Sequence, residues 1–391
     1  MLKIFNGQVI TPNGIVKNAS ILVDDGKIIE VNSSNIDAPY AAELDAQGKY
    51  ISPGFIDIHI HGGGGHDFMD NTVEAFLGIA ELHAKHGTTA MLPTTLSCEK
   101  ADLLETLRIY EEANKLNEKG SQFIGIHIEG PYFATNQRGA QDPRYIREPN
   151  SAEYKEILSA SKSIKRWSAA PELKGAIEFG KYMMAHDVLP AIAHTDAIYE
   201  DVIDAFNNGY TLATHFYSAM SGVTRRNAFR YAGVIESAYL IDDMDVEIIA
   251  DGIHLPKPLL QLIYKIKGPK RTALITDAMR GAGMPPGESV LGSKKDGIKV
   301  IVEDGVAKMP DRNAFAGSVA TFDRLVRTMT QVAGVPLIEG VRMASETPAR
   351  IMKIEKKGAL KKGNDADIVI FDENVHIAAA IINGKIVYTD T

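Results

Sequence analysis

The sequence predicts an α/β protein, a (β/α)8 (TIM) barrel with a small β-rich domain formed from both chain ends. In the middle of the chain, short apolar segments alternate with amphipathic helical segments, which is the pattern of parallel βαβ units. Both ends consist instead of short β-like runs broken by turn residues. We therefore expect residues 1–52 plus 350–391 to form the small domain and residues 53–349 to form the barrel, inserted between its two halves.

The two chain ends show the same pattern of short strands separated by tight turns. Near the N-terminus, Asn6-Gly7 and Asp25-Gly26 are hairpin signals between apolar runs. Near the C-terminus, ADIVIF precedes AAIINGKIVY, which contains a further Asn-Gly dipeptide. Because the two ends are similar in length and character, they are expected to pair with each other.

The middle of the chain supplies the strands and helices of the barrel. Helical segments such as ADLLETLRIYEEANKLNEKG carry apolar residues three or four positions apart. A count of eight strand segments favours a closed barrel, and an open doubly wound sheet is the structural alternative. The eight strand segments are GFIDIHIH, TTAMLPTT, FIGIHIEG, IKRWSAAPE, VLPAIAHTD, TLATHFYSAM, VEIIADGIH and TALITDAM.

Composition excludes several classes of partner. The 391 residues carry a formal net charge of −8, and no run of basic residues indicates a nucleic-acid or membrane surface. No apolar segment approaches the roughly 18 residues of a membrane span. The single cysteine, Cys98, excludes an intrachain disulfide and fits a reducing compartment. We expect a cytoplasmic protein that acts on a small molecule, without nucleic acid or membrane.

Each predicted strand ends in polar residues, and these ends carry the chemistry. The C-terminal ends of all strands in a (β/α)8 barrel converge on one face, where the active site forms. Several imidazoles and two carboxylates in such a ring match the ligands of Zn²⁺ or Fe²⁺. Any one of these histidines alone is more readily a hydrogen-bonded core residue, but their shared placement favours a metal site. The strand-end residues are His59, His61, Thr94, Thr95, Glu129, Glu172, His194, His215, His254 and Asp277.

The first and last strands make the most specific contributions. In a strand, His59 and His61 point to the same face because side chains alternate with a period of two, so both rings can reach one ion. Asp277 ends the last strand, where it is placed to take a proton from water and return it to a leaving group. Capping of a following helix is its structural alternative, although glycines and prolines follow it.

Six motifs occur in an order that resembles the amidohydrolase superfamily and, within it, the deacetylases of N-acetylglucosamine 6-phosphate. The resemblance covers essentially the whole chain. The combination of HIEGPY with AHTDA is its specific part, whereas the first motif alone marks only the superfamily. The motifs are PGFIDIHIHG at 53–62, HIEGPY at 127–132, AHTDA at 193–197, ADGIH at 250–254, ITDAM at 275–279 and AGS at 316–318.

The resemblance implies a fold, a reaction and a ligand set. It implies a TIM barrel beside a small β-sandwich, and a homodimer that hydrolyses the acetamide of an N-acetyl amino-sugar phosphate. The substrate is expected to be N-acetyl-D-glucosamine 6-phosphate, with Asp277 as the general acid and base. One or two divalent ions, Zn or Fe, are implied per subunit. Glu129, His194 and His215 would bind the principal ion, and His59 and His61 a second ion that Glu129 bridges.

Three departures from the family pattern bear on the substrate. Where relatives have a histidine that polarises the substrate carbonyl, this chain has Gln141, whose amide donates a hydrogen bond but carries no charge. We expect a second metal ion at His59 and His61 to offset that loss as a Lewis acid. Ser218 replaces an asparagine that contacts substrate in the family.

The third departure concerns the arginine that, in the family, reaches the phosphate in the neighbouring subunit's site. Arg230 is the nearest equivalent, and Arg225 and Arg226 precede it and could serve instead, since arginine binds phosphate in a bidentate manner. The alternative without a function is that these arginines belong to a solvated loop. The remaining residues expected at the substrate are His254, Ala219 and Phe315.

Two other functions stay open at this point. One is a deacetylase of a related substrate, such as N-acetylgalactosamine 6-phosphate, an unphosphorylated N-acyl sugar or an N-acyl amino acid. The other is a non-catalytic metal- or sugar-binding sensor, which predicts a broken ligand set or a missing base.

Overall fold

The computed structural model describes residues 1–390, and the main strands in the middle of the chain form two curled, all-parallel sheets. The strands alternate with helices, so the fold is mixed α/β, as predicted. Each of the eight predicted strand segments overlaps one of these strands, and the strand in VEIIADGIH begins one residue before that segment, at Asp245. The strands are Phe55–Ile60 and Thr88–Pro93 with the short Gln122–Phe123 in one sheet, and Ile126–Glu129, Ile164–Ala169, Leu189–Ile192, Leu212–Ala213, Asp245–Ile248 and Thr272–Leu274 in the other.

Backbone hydrogen bonds join the two parallel sheets at both of their edges. At one edge the Thr95 amide donates to the His127 carbonyl at 3.0 Å. At the other, the Asp277 amide donates to the His59 carbonyl at 2.9 Å. Near that second edge the Asp57 carboxylate accepts the Thr276 hydroxyl at 2.5 Å. These bonds bring the carboxyl ends of the first and last strands together.

The helices pack apolar faces against the strands. In the first, Phe76 and Ile79 are fully buried, and the side chain of Thr72 caps the helix by accepting the Ala75 amide. The side chain of Asn150 caps a later helix in the same way. The α-helices are Val73–Lys85, Lys100–Leu116, Ser151–Ala160, Ala176–Met184, Tyr199–Asn207, Val234–Leu240, Lys257–Lys267, Phe322–Arg327, Leu337–Ala344 and Glu346–Ile351, with shorter helical turns at Phe68–Asp70, Thr135–Gln137 and Thr328–Val332.

Strands from both chain ends form one mixed sheet of eight strands. The strand Tyr50–Pro53 pairs antiparallel with Ile368–Phe371, which joins the two ends. A separate cluster of buried side chains, including Ile4, Ile51 and Ile370, packs within this terminal sheet. Its strands are Leu2–Thr11, Gly14–Asp24, Lys27–Asn32, Ala42–Asp45, Tyr50–Pro53, Ile368–Phe371, Ile377–Ile382 and Lys385–Thr389.

Two of the three predicted hairpin turns are present, and the third is wrong. The chain turns between strands at Asp25-Gly26 and at the C-terminal Asn-Gly dipeptide. At Asn6 the strand continues through a bulge instead, with Asn6 at a φ of 56°. The bulge keeps the strand against Ile51, where a Cβ on Gly7 would lie 2.4 Å from the Ile51 Cδ1 atom. Burial of apolar residues on both sides of the dipeptide therefore overrides its turn preference.

Shorter strands surround the carboxyl ends of the parallel strands. They form two pairs and one small sheet: Gly62–Gly63 with His66–Asp67, Thr224–Arg226 with Phe229–Tyr231, and Gly287–Leu291 with Ile298–Glu303 and Val306–Lys308.

Within residues 1–390, no helix combines the length and apolar character needed to cross a bilayer.

Truncation of Phe55 should destabilise the protein, because this ring connects three parts of the fold. It begins the first parallel strand, stacks on Phe322 with ring centroids 5.4 Å apart, and lies 6.2 Å from the ring of Phe371 in the terminal sheet. We expect Phe55→Ala to lower the free energy of unfolding by about 3–5 kcal/mol in urea denaturation. Leu240→Ala is the control, since Leu240 is 68% exposed. A loss for Phe55→Ala no larger than for this control would contradict the assignment.

Candidate metal centre and active site

The candidate site lies where the carboxyl ends of the parallel strands meet, and Glu129 is at its centre. Glu129 ends the strand Ile126–Glu129, while His59 lies within the first parallel strand and His61 just after it. His194 and His215 follow the strands Leu189–Ile192 and Leu212–Ala213, with φ angles of 48° and 31° that turn the chain sharply over the site. All five side chains are buried.

One group of possible ligand atoms consists of Glu129, His194 and His215. The Glu129 Oε1 atom lies 3.3 Å from His194 Nε2 and 3.1 Å from His215 Nε2. The two histidine Nε2 atoms are 3.2 Å apart. Tetrahedral coordination at 2.0–2.1 Å separates neighbouring ligand atoms by about 3.3 Å, so this spacing fits one divalent ion.

A second group shares the same carboxylate. The Nε2 atom of His59 lies 3.4 Å from Glu129 Oε1, and that of His61 lies 3.4 Å from Glu129 Oε2. The His59 and His61 Nε2 atoms are 3.3 Å apart. The residues therefore fit two ions, with Glu129 able to contribute an oxygen to each.

The far nitrogens of three rings are held by backbone carbonyls. The Nδ1 atoms of His61, His194 and His215 lie 3.2, 2.8 and 3.1 Å from the carbonyl oxygens of Thr94, Gln137 and Ser218, respectively. These contacts place a proton on Nδ1 and leave Nε2 free to bind a cation. The Nδ1 atom of His59 is buried and has no such partner.

The charges in the site are strongly coupled. Burial disfavours the charged form of Glu129, but His59 and the other imidazoles hold its pKa well below the usual range. Burial likewise opposes protonation of His59, yet Glu129, Glu247 and Asp277 raise its pKa to about 10. Metal binding would therefore displace a proton from the His59 ring.

Asp277 faces the same group of ligand atoms from the last strand. Its Oδ1 atom lies 3.1 Å from His61 Nε2 and 3.5 Å from His59 Nε2. Burial raises the pKa of Asp277, but a hydrogen bond from His61 and the charge of His59 outweigh burial and lower it. The carboxylate is therefore ionised at neutral pH, which is the form a general base requires.

A cavity of about 340 Å³ opens above these side chains. Gln141 lies in its wall with a fixed amide, because the Ser97 amide donates to Gln141 Oε1 at 2.8 Å and Gln141 Nε2 donates to Glu129 Oε2 at 2.8 Å. His254 is held by Asp251, 2.8 Å from its Nδ1, and its ring centroid lies 4.7 Å from that of Phe315. The sequence-predicted residues in the cavity wall are His61, Glu129, Gln141, His194, His215, Ser218, Ala219, His254, Asp277 and Phe315.

Other predicted residues, Thr94 and Thr95 among them, lie outside the cavity wall. His59 is buried beneath the cavity among the ligand atoms. Arg226 and Arg230 lie on the exposed hairpin formed by Thr224–Arg226 and Phe229–Tyr231, outside the cavity wall. The strand-end residue Glu172 also stays outside, where it accepts the hydroxyl of Thr195 and so fixes the loop that carries His194.

The sequence analysis missed a buried ion pair below the site, between Arg166 and Glu247. Both side chains are fully buried, and the pair has two contacts, one of them 2.7 Å from Arg166 Nη2 to Glu247 Oε2. The available signal was a basic residue in one strand segment, IKRWSAAPE, and an acidic residue in another, VEIIADGIH. Cavity-wall residues such as Asn136 and Gln137 were also missed, because they lie in a short helical turn without a motif.

Comparison with known proteins assigns the family. Residues 50–387 match the sequence profile of the Amidohydrolase family. The chain belongs to the amidohydrolase family. The resemblance found in the sequence motifs is thereby confirmed.

Full-length relatives of this amidohydrolase are sugar-phosphate deacetylases. The N-acetylglucosamine-6-phosphate deacetylase of Lysinibacillus sphaericus is 34% identical over 389 residues, covering 98% of this chain and 97% of the relative. The enzyme of that name from Bacillus subtilis strain 168 is 31% identical over 386 residues, covering 97% and 95%. The N-acetylgalactosamine-6-phosphate deacetylase of Escherichia coli O157:H7 is 29% identical over 381 residues, covering 97% of both chains.

Solved structures agree with this relationship. A variant N-acetyl-D-glucosamine-6-phosphate deacetylase from Mycobacterium smegmatis, in complex with N-acetyl-D-glucosamine-6-phosphate, matches with a TM-score of 0.91 and 28% identity, covering 99% of both chains. The N-acetylglucosamine-6-phosphate deacetylase from Thermotoga maritima matches with a TM-score of 0.87 and 27% identity, covering 99% of this chain and all of that one.

Removal of bound metal should lower the thermal midpoint of this amidohydrolase. An ion that binds only the folded chain stabilises it by about 4 kcal/mol at a free concentration 1,000 times its Kd. We expect EDTA to lower the midpoint in scanning fluorimetry and added Zn²⁺ to restore it. Glu129→Gln, which loses the shared carboxylate, should bind little metal and respond little to EDTA. If the variant retains wild-type metal content, Glu129 is not the shared ligand.

Proposed function

We propose that this amidohydrolase is a metal-dependent deacetylase that converts N-acetyl-D-glucosamine 6-phosphate to D-glucosamine 6-phosphate and acetate. The observation that carries the proposal is the arrangement of Glu129 with four histidines and Asp277 at the base of one cavity. The printed activities of the full-length relatives support the choice of substrate.

The proposal includes a two-domain architecture. A closed (β/α)8 barrel over residues 53–349 is supported by the hydrogen bonds at both edges of the parallel sheets. A single small domain over residues 1–52 and 350–391, which we expect to be a β-sandwich, is supported by the mixed sheet that both chain ends share. The cytoplasmic location stays a prediction.

When bound, a divalent ion supplies Lewis acidity, which lowers the pKa of water and polarises the acetamide carbonyl. Glu129, His194 and His215 would hold the principal ion, with His59 and His61 holding a second one, each ion being Zn or Fe. Asp277 takes a proton from the attacking water, whose oxygen adds to the carbonyl carbon. Asp277 then returns that proton to the amine nitrogen as the carbon–nitrogen bond breaks, and acetate and the amino sugar leave.

The cavity wall would orient the rest of the substrate. Gln141 would donate a hydrogen bond from Nε2 to the carbonyl oxygen as negative charge develops there. The Ser97 amide binds Gln141 Oε1 and thereby keeps Nε2 facing the site. His254, with Ser218 and Ala219, would contact the sugar phosphate, while Phe315 covers the sugar.

The arginine hairpin would complete the site of a second subunit in a homodimer. Arg226 and Arg230 are exposed and lie outside the cavity of their own chain. Phe229 at the hairpin is 72% exposed and would be covered in such an interface. Guanidinium groups bind phosphate in a bidentate manner, which suits either arginine to the phosphate of the neighbouring subunit's substrate.

Deacetylation of N-acetyl-D-galactosamine 6-phosphate is the second candidate, because a relative of that name aligns over 97% of both chains. Ser218 in place of the family's asparagine leaves the sugar preference open. Both candidates share the reaction and the phosphate.

A substrate panel on metal-quantified protein tests the proposed function. We expect kcat/KM to be highest for N-acetyl-D-glucosamine 6-phosphate and at least tenfold lower for the unphosphorylated sugar, because the phosphate contributes binding energy. Asp277→Asn is the matched control and should keep its metal while losing several orders of magnitude in kcat. Preference for an unphosphorylated substrate, or near-normal activity of Asp277→Asn, would contradict the proposal. Full activity with one ion per subunit would remove the role of the second ion.

Subunit mixing tests the arginine hairpin. The double variant Arg226→Ala and Arg230→Ala should show a raised KM for the phosphorylated sugar, since the phosphate contact is lost. Refolding it with Asp277→Asn should restore activity, because about a quarter of the sites in a random mixture of C2 dimers combine an intact base with an intact hairpin. Activity equal to the sum of the separate variants would show that the arginines do not act across subunits.

A further inference from the structure

His59 is the one predicted ligand whose far nitrogen lacks a hydrogen-bond partner among the described residues. The Nδ1 atoms of His61, His194 and His215 each meet a backbone carbonyl, whereas His59 Nδ1 is buried and unpaired. When His59 Nε2 binds a cation, its ring must carry the remaining proton on Nδ1. A buried N–H without an acceptor is unfavourable by about 1–3 kcal/mol, so the loaded site needs an acceptor at this position.

The carboxylate of Glu247 lies on that side of the ring. Its Oε2 atom is 3.9 Å from His59 Nδ1, which is longer than a hydrogen bond, and both side chains are fully buried. Arg166 holds the carboxylate through two contacts and donates from Nη1 to the Ile58 carbonyl at 3.0 Å. Arg166 also donates from Nη2 to the Thr214 hydroxyl at 2.7 Å, so the carboxylate is anchored through Arg166 to the first parallel strand and to the residue that follows Leu212–Ala213.

We propose that Glu247, held by Arg166, is a positioning residue that accepts the His59 Nδ1–H and thereby orients His59 toward the second ion. A shift of about 1 Å converts the 3.9 Å separation into a hydrogen bond. A carboxylate behind a ligating imidazole fixes its tautomer and raises the basicity of the ligating nitrogen. The inference rests on the metal-binding part of the proposed function. It adds that Glu247 and Arg166 set the affinity of the site for the second ion.

Stability alone is a weak reason for this ion pair. Replacement of a buried pair by well-packed apolar residues is often neutral or stabilising, because desolvation of both charges offsets their attraction. The same strand carries a comparison: Asp245 pairs with Arg350 at 2.6 and 3.0 Å but touches no predicted ligand. The two pairs share a strand and a chemistry. They differ in their distance from His59 and in burial, because the Arg350 side chain is 44% exposed whereas Arg166 is fully buried.

Three double variants separate positioning from structure. Glu247→Leu with Arg166→Met removes the acceptor and both charges, while Glu247→Gln with Arg166→Gln keeps a neutral acceptor. Asp245→Asn with Arg350→Gln is the control for removing an ion pair from the same strand, and the neutral-acceptor variant is the control for altering the buried pair itself. Changing both members of a pair avoids leaving one buried charge unpaired. Each protein is titrated with Zn²⁺ against a competing chelator, and Co²⁺-loaded samples are followed by their d–d absorption.

We expect the acceptor-free variant to bind one ion about 10- to 100-fold more weakly and the other ion normally. The neutral-acceptor variant should be intermediate, and the control should bind both ions as the wild type does. Wild-type affinity for both ions in the acceptor-free variant would overturn the inference, as would a wild type that binds a single ion at saturating Zn²⁺. Wild-type protein that lacks deacetylase activity yet shows these affinity changes would refute the proposed function and leave the inference standing.

A measurement on unaltered protein covers the case in which the variants do not fold. In Zn²⁺-loaded wild type with ¹⁵N-labelled histidine, His59 should carry its proton on Nδ1, with a downfield proton signal typical of a bond to a carboxylate. The His59 signal is identified by its loss in His59→Gln. A His59 Nδ1 proton without that downfield shift, or a ring with its proton on Nε2 in the loaded protein, would overturn the inference.

Discussion

The shared carboxylate of Glu129 is the contact on which the whole site depends. Four imidazole nitrogens lie within 3.4 Å of its two oxygens, a spacing that suits ligands of a cation better than contacts among neutral rings. Such crowding is unfavourable for the side chains themselves, so the backbone must enforce it. The parallel strands impose it because their carboxyl ends converge, so residues that are far apart in the chain meet at one point.

The turns above the strands are as specific as the strands themselves. His194, His215 and Asp277 all have positive φ angles, which residues other than glycine rarely adopt. Surrounding contacts hold them there: Glu172 secures the loop after His194, and the Ser318 amide donates to the Asp277 carbonyl at 2.7 Å. Strained backbone of this kind gathers at functional sites, where the fold stabilises it from outside.

The strands and their polar ends could be predicted from the sequence, because apolar segments alternate with helical ones and polar residues follow each apolar segment. The prediction failed where the local pattern was ambiguous. The dipeptide Asn6-Gly7 favours a turn locally, yet tertiary burial makes it a bulge. A charged residue within an apolar strand does not reveal which face it occupies, so the inward direction of Arg166 was not predictable. The position of the arginine hairpin outside its own cavity likewise depends on tertiary structure.

The pairing of Tyr50–Pro53 with Ile368–Phe371 has a consequence for biosynthesis. The N-terminal strands leave the ribosome first, but their partner strand follows roughly 300 residues later. At 5–20 residues per second, the edge of the first sheet stays open for about 15–60 s. An open strand edge is a template for association between chains. The nascent enzyme is therefore most exposed to aggregation, and to capture by chaperones, during the synthesis of its own barrel.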